Sequence, residues 1–509
     1  MNRLFVFCSI IIPVAQALSQ SSAPLLNPSS PAVGIKMQIA EHHFLQSIWG
    51  LKVQHGDSNT IFEHNAANFL KPASNAKLYV TALALDQLSP DYRIRTSVYA
   101  NTKADSSGIV AGDVIVYGRG DPTFSQRFNY GAYARSLKSL VDAIAASGVK
   151  RINGDIVADE SFFRGSGIGS GWKWEDLQYH YGAAASALSI DDNVIRYTIK
   201  PGSRVGDPCT FVGQPETALV RIINRTRTTS SDGSGIRFYR APGDTNIYFS
   251  GSLSVQNTKG ATEAVAMPDP AALFAEQLKK RLVEKGITVS GRTRSVNWLE
   301  RQDRPVDYSQ MVEICSVNSR PLSEIINKTL KNSQGLYAQL LLLQVGSKYT
   351  ENPHLNTEKA GLKMLESFLI QANINPEEVL LEDGAGLSRD GLVTANANVA
   401  LLKYMAEHKY SNTFINSLPL AAVDGTLMSR FANTSAAKNL RAKTGTLPKV
   451  AALSGYLTNA SGERLIFSMM LNNCNQSEME NKAALDSIVV MLANSTNLVQ
   501  IPTNIIASP

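Results

Sequence analysis

Ser74 and Lys77 stand three residues apart at the head of Ser74-Asn75-Ala76-Lys77-Leu78-Tyr79-Val80-Thr81-Ala82-Leu83-Ala84-Leu85, an almost wholly apolar run without glycine or proline. Such a run predicts a buried helix beginning at or just after Ser74. That spacing on a helix puts the hydroxyl and the amine on one face. A serine beside an amine whose pKa is lowered by burial can act as a nucleophile, because the neutral amine takes the hydroxyl proton as the oxygen attacks a carbonyl. Serine and lysine are common, so the spacing gains its meaning from a second signal. Lys443-Thr444-Gly445-Thr446 supplies one: read as an edge strand, it offers a cation and hydroxyls to the anionic end of a substrate, and Gly445 lets a backbone approach closely.

Other chemistries lack their residues. The chain has no His-Glu-x-x-His pair, Walker loop, dinucleotide Gly-x-Gly-x-x-Gly after a strand, or Gly-x-Ser-x-Gly elbow. Its 7 histidines form no ligand-like cluster, so neither metal nor cofactor is expected. Of the 4 cysteines, Cys8 lies in an apolar leader, and Cys209, Cys315 and Cys474 show no Cys-x-x-Cys spacing. At most one bridge can form, and isolated buried thiols are the expectation.

The elements that must position these residues read as follows. Strand-like runs at 47–54 and 60–63, separated by Gly56, Asp57 and Ser58, predict a hairpin ahead of the Ser74 helix. From about 92 to 292 the pattern changes to short strands and turns, with an amphipathic helix near its end at 270–285. Helical periodicity returns at 322–345 and 396–407. The tail reads as strands at 451–458 and 465–471, then a helix at 478–492. Hairpin then helix at both ends predicts one shared sheet covered by helices.

Taken together, Ser74-x-x-Lys77 and Lys443-Thr444-Gly445 resemble the signature of serine β-lactamases and penicillin-binding proteins. Further segments resemble the class C low-molecular-mass penicillin-binding proteins: Gly120-Asp121-Pro122, Gly171-Trp172-Lys173-Trp174-Glu175-Asp176, Asp383-Gly384-Ala385-Gly386-Leu387-Ser388-Arg389 and Asp424-Gly425-Thr426-Leu427. The family's Ser-x-Asn motif has its counterpart at Ser333-Gln334-Gly335, where Gly335 stands in place of asparagine. The resemblance implies a mixed α/β (α+β) fold: a discontinuous catalytic domain (18–91 and 293–509) with an antiparallel sheet flanked by helices, and a β-rich insertion (92–292) of two subdomains.

It also implies a serine-type D-Ala-D-Ala carboxypeptidase, with endopeptidase cleavage open to the same chemistry, acting on peptidoglycan stem peptides and acylated by β-lactams. Ser74 would be the nucleophile and Lys77 the general base. Ser333 would pass a proton to the leaving amine, and Lys443 with Thr444 would hold the terminal carboxylate. The backbone N–H groups of Ser74 and Thr446 would form the oxyanion hole. Asp176 and Arg389 would read the amine and carboxylate of the diamino acid. Gly335 donates nothing to the substrate amide or the lysine, which keeps a scaffold protein without turnover as a second reading, with Gln334 or Gln339 as substitutes for the lost amide. A β-lactamase is a third reading, disfavoured by the large insertion.

The bulk properties agree with an exported enzyme. A chain of 509 residues divides into two or three domains, and 44% hydrophobic with 18% charged residues is an ordinary globular composition. Arg3, an apolar run from Leu4 to Val14 and Ala15-Gln16-Ala17 read as a cleavable leader over 1–17. No later stretch predicts a transmembrane anchor, which implies a periplasmic or otherwise extracytoplasmic location. The net charge of +6, one less without the leader, suits an acidic envelope polymer and is too dispersed for nucleic acid.

Overall fold

The computed structural model describes residues 31–56, 59–349 and 355–496; the expected leader lies outside them. Its central element is a five-stranded antiparallel sheet in the order Arg441–Leu447, Val450–Thr458, Arg464–Asn472, Ile48–His55, Thr60–His64. The two chain ends meet where Ile48–His55 pairs with Arg464–Asn472, as the mirrored hairpins predict.

Both faces of this sheet are covered, which is why Leu465-Ile466-Phe467-Ser468-Met469-Met470-Leu471 is nearly all apolar rather than alternating. Phe467, Met469 and Leu471 pack with Ile35 of helix Pro31–Ile39 and with Leu485 and Ile488 of helix Glu478–Asn494. Ile466 and Met470 face the opposite core, with Leu78 and Leu85 of helix Ala76–Leu88 and Leu402 of helix Ala395–Glu407. Side chains alternate between faces along a strand, so one strand serves two cores.

A buried polar chain fixes helix Ala76–Leu88 on the sheet. Tyr79 donates its hydroxyl to Asn398 Oδ1 (2.8 Å), Asn398 Nδ2 donates to Ser468 Oγ (3.0 Å), Ser454 Oγ donates to Ser468 Oγ (2.9 Å), and Asn75 Nδ2 donates to Ser454 Oγ (3.0 Å). Buried donors without partners are costly, so these four contacts hold the start of the helix in one register against the sheet.

A second five-stranded sheet has the order Thr293–Val296, Ile156–Asp159, Val114–Tyr117, Arg95–Ala100, Val312–Asn318. Its pairing passes the expected limit at 292 and reaches Asn318. A continuous apolar core joins this sheet (Val98, Val116, Ala158) to two three-stranded sheets (Tyr197, Phe249) and to Leu273 and Phe274 of helix Pro270–Glu284. Tyr337 ties this part of the chain to helix Gly335–Gly346: its hydroxyl donates to Asp192 Oδ1 (2.6 Å), itself ion-paired with Arg127.

Two differences from the sequence reading matter for the site. The helical stretch expected over 322–345 is two helices, Leu322–Lys331 and Gly335–Gly346, with Ser333 in the break at a left-handed φ of 53°. A further helix, Thr357–Gln371, was not anticipated. Gly361 interrupts its apolar pattern, and a Cβ there would lie 2.6 Å from Leu342 O, so the glycine that hides the helix is the one that lets it pack. Cys209, Cys315 and Cys474 are free thiols, Cys209 and Cys474 buried and Cys315 half-buried.

Candidate active site

Ser74 lies in a 3-10 turn, Ala73–Asn75, that runs into helix Ala76–Leu88. Ala73 has a left-handed φ of 48°, a strained conformation for a residue with a Cβ. Lys77 sits almost wholly buried one turn on, and its Nζ donates to Ser74 Oγ at 2.8 Å and to the carbonyl of Ala385. Burial brings the amine down to about 8, against a smaller upward pull from Asp383. The pair expected from a three-residue spacing is therefore formed, with the amine poised to lose its proton near neutrality.

Lys443 and Ser333 come to the same place from opposite sides. Lys443 is fully buried in the edge strand, and its Nζ donates to Ser333 Oγ and to Thr444 O, both at 2.8 Å. Burial, reinforced by the Lys77 charge, pushes its amine well down. Ser74, Lys77 and Ser333 line one cavity of about 490 Å³ together with Thr446, Asp176 and Arg389. Thr446 is exposed to it, whereas Thr444 is buried and donates its hydroxyl to Thr426 Oγ1 (2.8 Å).

Asp176 arrives on the 3-10 turn Trp174–Gln178 of the insertion and pairs with Arg389 Nη2 at 3.2 Å; Tyr181 donates to its other oxygen at 3.3 Å. Arg389 is also steadied by Leu387 O at 2.8 Å. One carboxylate and one guanidinium thus stand side by side in the cavity lining.

Gly445 serves a neighbour on its own chain. A Cβ there would sit 2.7 Å from Pro72 O and 3.2 Å from Ala73 Cβ, so the glycine lets the edge strand press on the turn that carries Ser74. Gly445→Ala is expected to push strand and turn apart and slow acylation by roughly 10- to 100-fold, since a small misplacement of reacting groups costs about that much. Stopped-flow acylation of the variant, with its circular dichroism unchanged, checks it.

Gly335 begins the helix after Ser333, and no side chain takes up the asparagine's place through Gln339. Gln339 Nε2 donates to Glu358 Oε2 (2.5 Å), and its Oε1 accepts from Gly384 N (2.7 Å). The partner that Lys77 does have, the Ala385 carbonyl, escaped sequence reasoning because every residue type carries one. Its only advance signal was the glycine-rich Asp383-Gly384-Ala385-Gly386 run.

The fold is that of a penicillin-binding protein. The crystal structure of penicillin binding protein 4 from Haemophilus influenzae covers 90% of this chain and 97% of its own, with a TM-score of 0.75 at 24% identity. The chain belongs to the D-Ala-D-Ala carboxypeptidase 3 (S13) family, whose pattern matches residues 34–495. Among relatives, the D-alanyl-D-alanine carboxypeptidase of an Actinomadura species is 32% identical over 445 residues, 85% of this chain and 78% of that one. The D-alanyl-D-alanine carboxypeptidase DacB of H. influenzae is 26% identical over 440 residues, 86% and 88% of the two chains. The protein is an enzyme with carboxypeptidase activity. No helix among the described residues is long and apolar enough to cross a membrane.

Proposed function

We propose that this carboxypeptidase works outside the cytoplasm on peptidoglycan stem peptides, releasing the terminal D-alanine through an acyl-enzyme on Ser74. The contact that carries the reading is Lys77 Nζ at 2.8 Å from Ser74 Oγ, in a cavity shared with the Ser333 hydroxyl that Lys443 holds. Ser74 Oγ attacks the carbonyl carbon of the penultimate D-alanine while its proton passes to the neutral Lys77 amine. The C–N bond then breaks, and the leaving amine takes a proton by way of Ser333. The backbone N–H groups of Ser74 and Thr446 stabilise the oxyanion, the terminal carboxylate is received on the Lys443 side, where Thr446 rather than the buried Thr444 faces the cavity, and water hydrolyses the ester.

β-Lactams enter the same chemistry, their ring amide taking the place of the peptide bond. A relative of this fold, penicillin binding protein 4 from H. influenzae, has been crystallised with a novel β-lactam. The decisive experiment is product analysis after incubation with purified muropeptides. Free D-alanine from pentapeptides is expected; monomers from cross-linked dimers would add endopeptidase cleavage, and no product of either kind would refute the reading.

Asp176 and Arg389 give the substrate its head-group test. Arg389→Ala is expected to lower kcat/KM for a stem peptide with a free diamino-acid end by about 10- to 100-fold, the worth of a charge-assisted hydrogen bond. Penicillin, which has no such end, should acylate the variant within about threefold of the wild-type rate. Equal losses on both substrates would mean that the pair merely supports the cavity wall.

A further inference from the structure

The amine of Lys77 has two acceptors, the Ser74 hydroxyl and the Ala385 carbonyl, and neither depends on the side chain missing at Gly335. The loop that supplies the carbonyl is held unusually tightly. Asp383, 1% exposed, accepts from Gly386 N (3.1 Å), Leu387 N (3.0 Å) and, across from the insertion, Trp172 Nε1 (2.6 Å). Gly386 takes a left-handed φ of 70°, and a Cβ on it would fall 2.0 Å from Ala73 O, so the loop lies directly against the backbone preceding Ser74. Gly384 N is gripped by Gln339 and Gln339 by Glu358, whose other oxygen accepts from Ser170 Oγ at 2.7 Å.

Nothing in the backbone demands glycine at 335. Its φ is not left-handed, and a Cβ would meet only Tyr181 O at 3.3 Å and Ala385 Cβ at 3.5 Å. The contact with Tyr181 O is tight, and the Lys77 amine is already held by the neighbouring Ala385.

We propose that the loop 383–387 does for Lys77 what the absent amide would do: the Ala385 carbonyl holds the amine on Ser74, and Asp383, fastened by Trp172, is the positioning residue that sets that carbonyl. The proposal rests on the reading of Ser74 and Lys77 as nucleophile and base. It makes the insertion part of the catalytic apparatus, because Trp172 belongs to it. Of the charged groups near the amine, Asp383 from the loop draws a proton toward Lys77, and the charge of Lys77 in turn opposes protonation of Lys443 on the edge strand.

The test is the acylation rate of the full chain with a fluorescent penicillin as a function of pH. Asp383→Asn is expected to slow acylation roughly 10- to 100-fold and to move the rising acidic limb to lower pH, because the anion that holds the proton on Lys77 is gone. Trp172→Phe, which keeps an aromatic ring and loses only the N–H donor, should also slow acylation and decides the matter if Asp383→Asn fails to fold. Gly335→Asn should change the rate by no more than about threefold. A tenfold or larger gain from Gly335→Asn would show that the site still lacks its amide and overturn the proposal. So would Asp383→Asn with an unmoved limb, or Trp172→Phe at the wild-type rate. Absence of any acylation of wild-type Ser74 would instead bring down the underlying reading of the nucleophile, and this inference with it.

Discussion

Ser74→Ala abolishes labelling by fluorescent penicillin and lowers D-alanine release by on the order of 10⁴- to 10⁶-fold, the loss that follows when a nucleophile acting in concert with its base is removed. The expectation is this large because the surrounding groups converge on one oxygen. Lys77 donates to Ser74 Oγ, the strained Ala73 fixes the turn, and Asn75, the next residue, is bonded to the sheet through Ser454. An alanine keeps the Ala73 turn and the Asn75–Ser454 bond and loses, with the Oγ that forms the ester, only the Lys77 contact to that atom, so the variant should fold and should still bind stem peptides. Gel labelling with mass spectrometry of the adduct measures it. An adduct on Ser74→Ala at another residue would exclude Ser74 as nucleophile.

Lys77→Ala has the second largest effect. Loss of a general base slows acylation by about 10²- to 10⁴-fold, and the pH profile should change with it. In the wild type the amine titrates at about 8. Below that pH it is an ammonium and cannot take the serine proton, so acylation rises with pH through the region around 8 and then levels off. The variant should lose this limb. A wild-type profile flat between pH 6 and 9 would assign the base elsewhere, with Lys443, whose amine burial also pushes well down, as the next candidate.

The two lysines differ in what they meet when substrate arrives. Lys443 is buried beside another amine, with only Ser333 and a carbonyl as acceptors. A carboxylate entering next to it supplies the missing anion and favours the protonated form. Substrate binding should therefore raise the Lys443 pKa, while Lys77 gains no such partner.

How much of this was visible beforehand depended on whether a feature was local. The Ser74–Lys77 pair follows from helical spacing alone, and the hairpins followed from turn residues between apolar runs. The gap between helices Leu322–Lys331 and Gly335–Gly346 did not, because Asn332, Ser333 and Gln334 include neither glycine nor proline. Ser333 adopts its left-handed conformation where Lys443, 110 residues away, meets its hydroxyl. Strand Val312–Asn318 was equally hidden, since its half-buried pattern is legible only once Arg95–Ala100 stands beside it. The place of Thr444, facing Thr426 rather than open space, is likewise a product of tertiary packing. Motifs announced the reacting groups; the groups that hold them, a backbone carbonyl and a buried carboxylate, have no spacing that marks them.

The meeting of the two chain ends in one sheet has a bearing on timing. Ile48–His55 pairs early with Thr60–His64 but finds its second partner only when Arg464–Asn472 has been made, and the Lys443 that bonds Ser333 comes from the same late segment. Pairings so distant in sequence form slowly and late. A nascent chain carrying Ser74 therefore lacks both the Lys443 contact to Ser333 and the strand that joins its two ends until the last segment has been made.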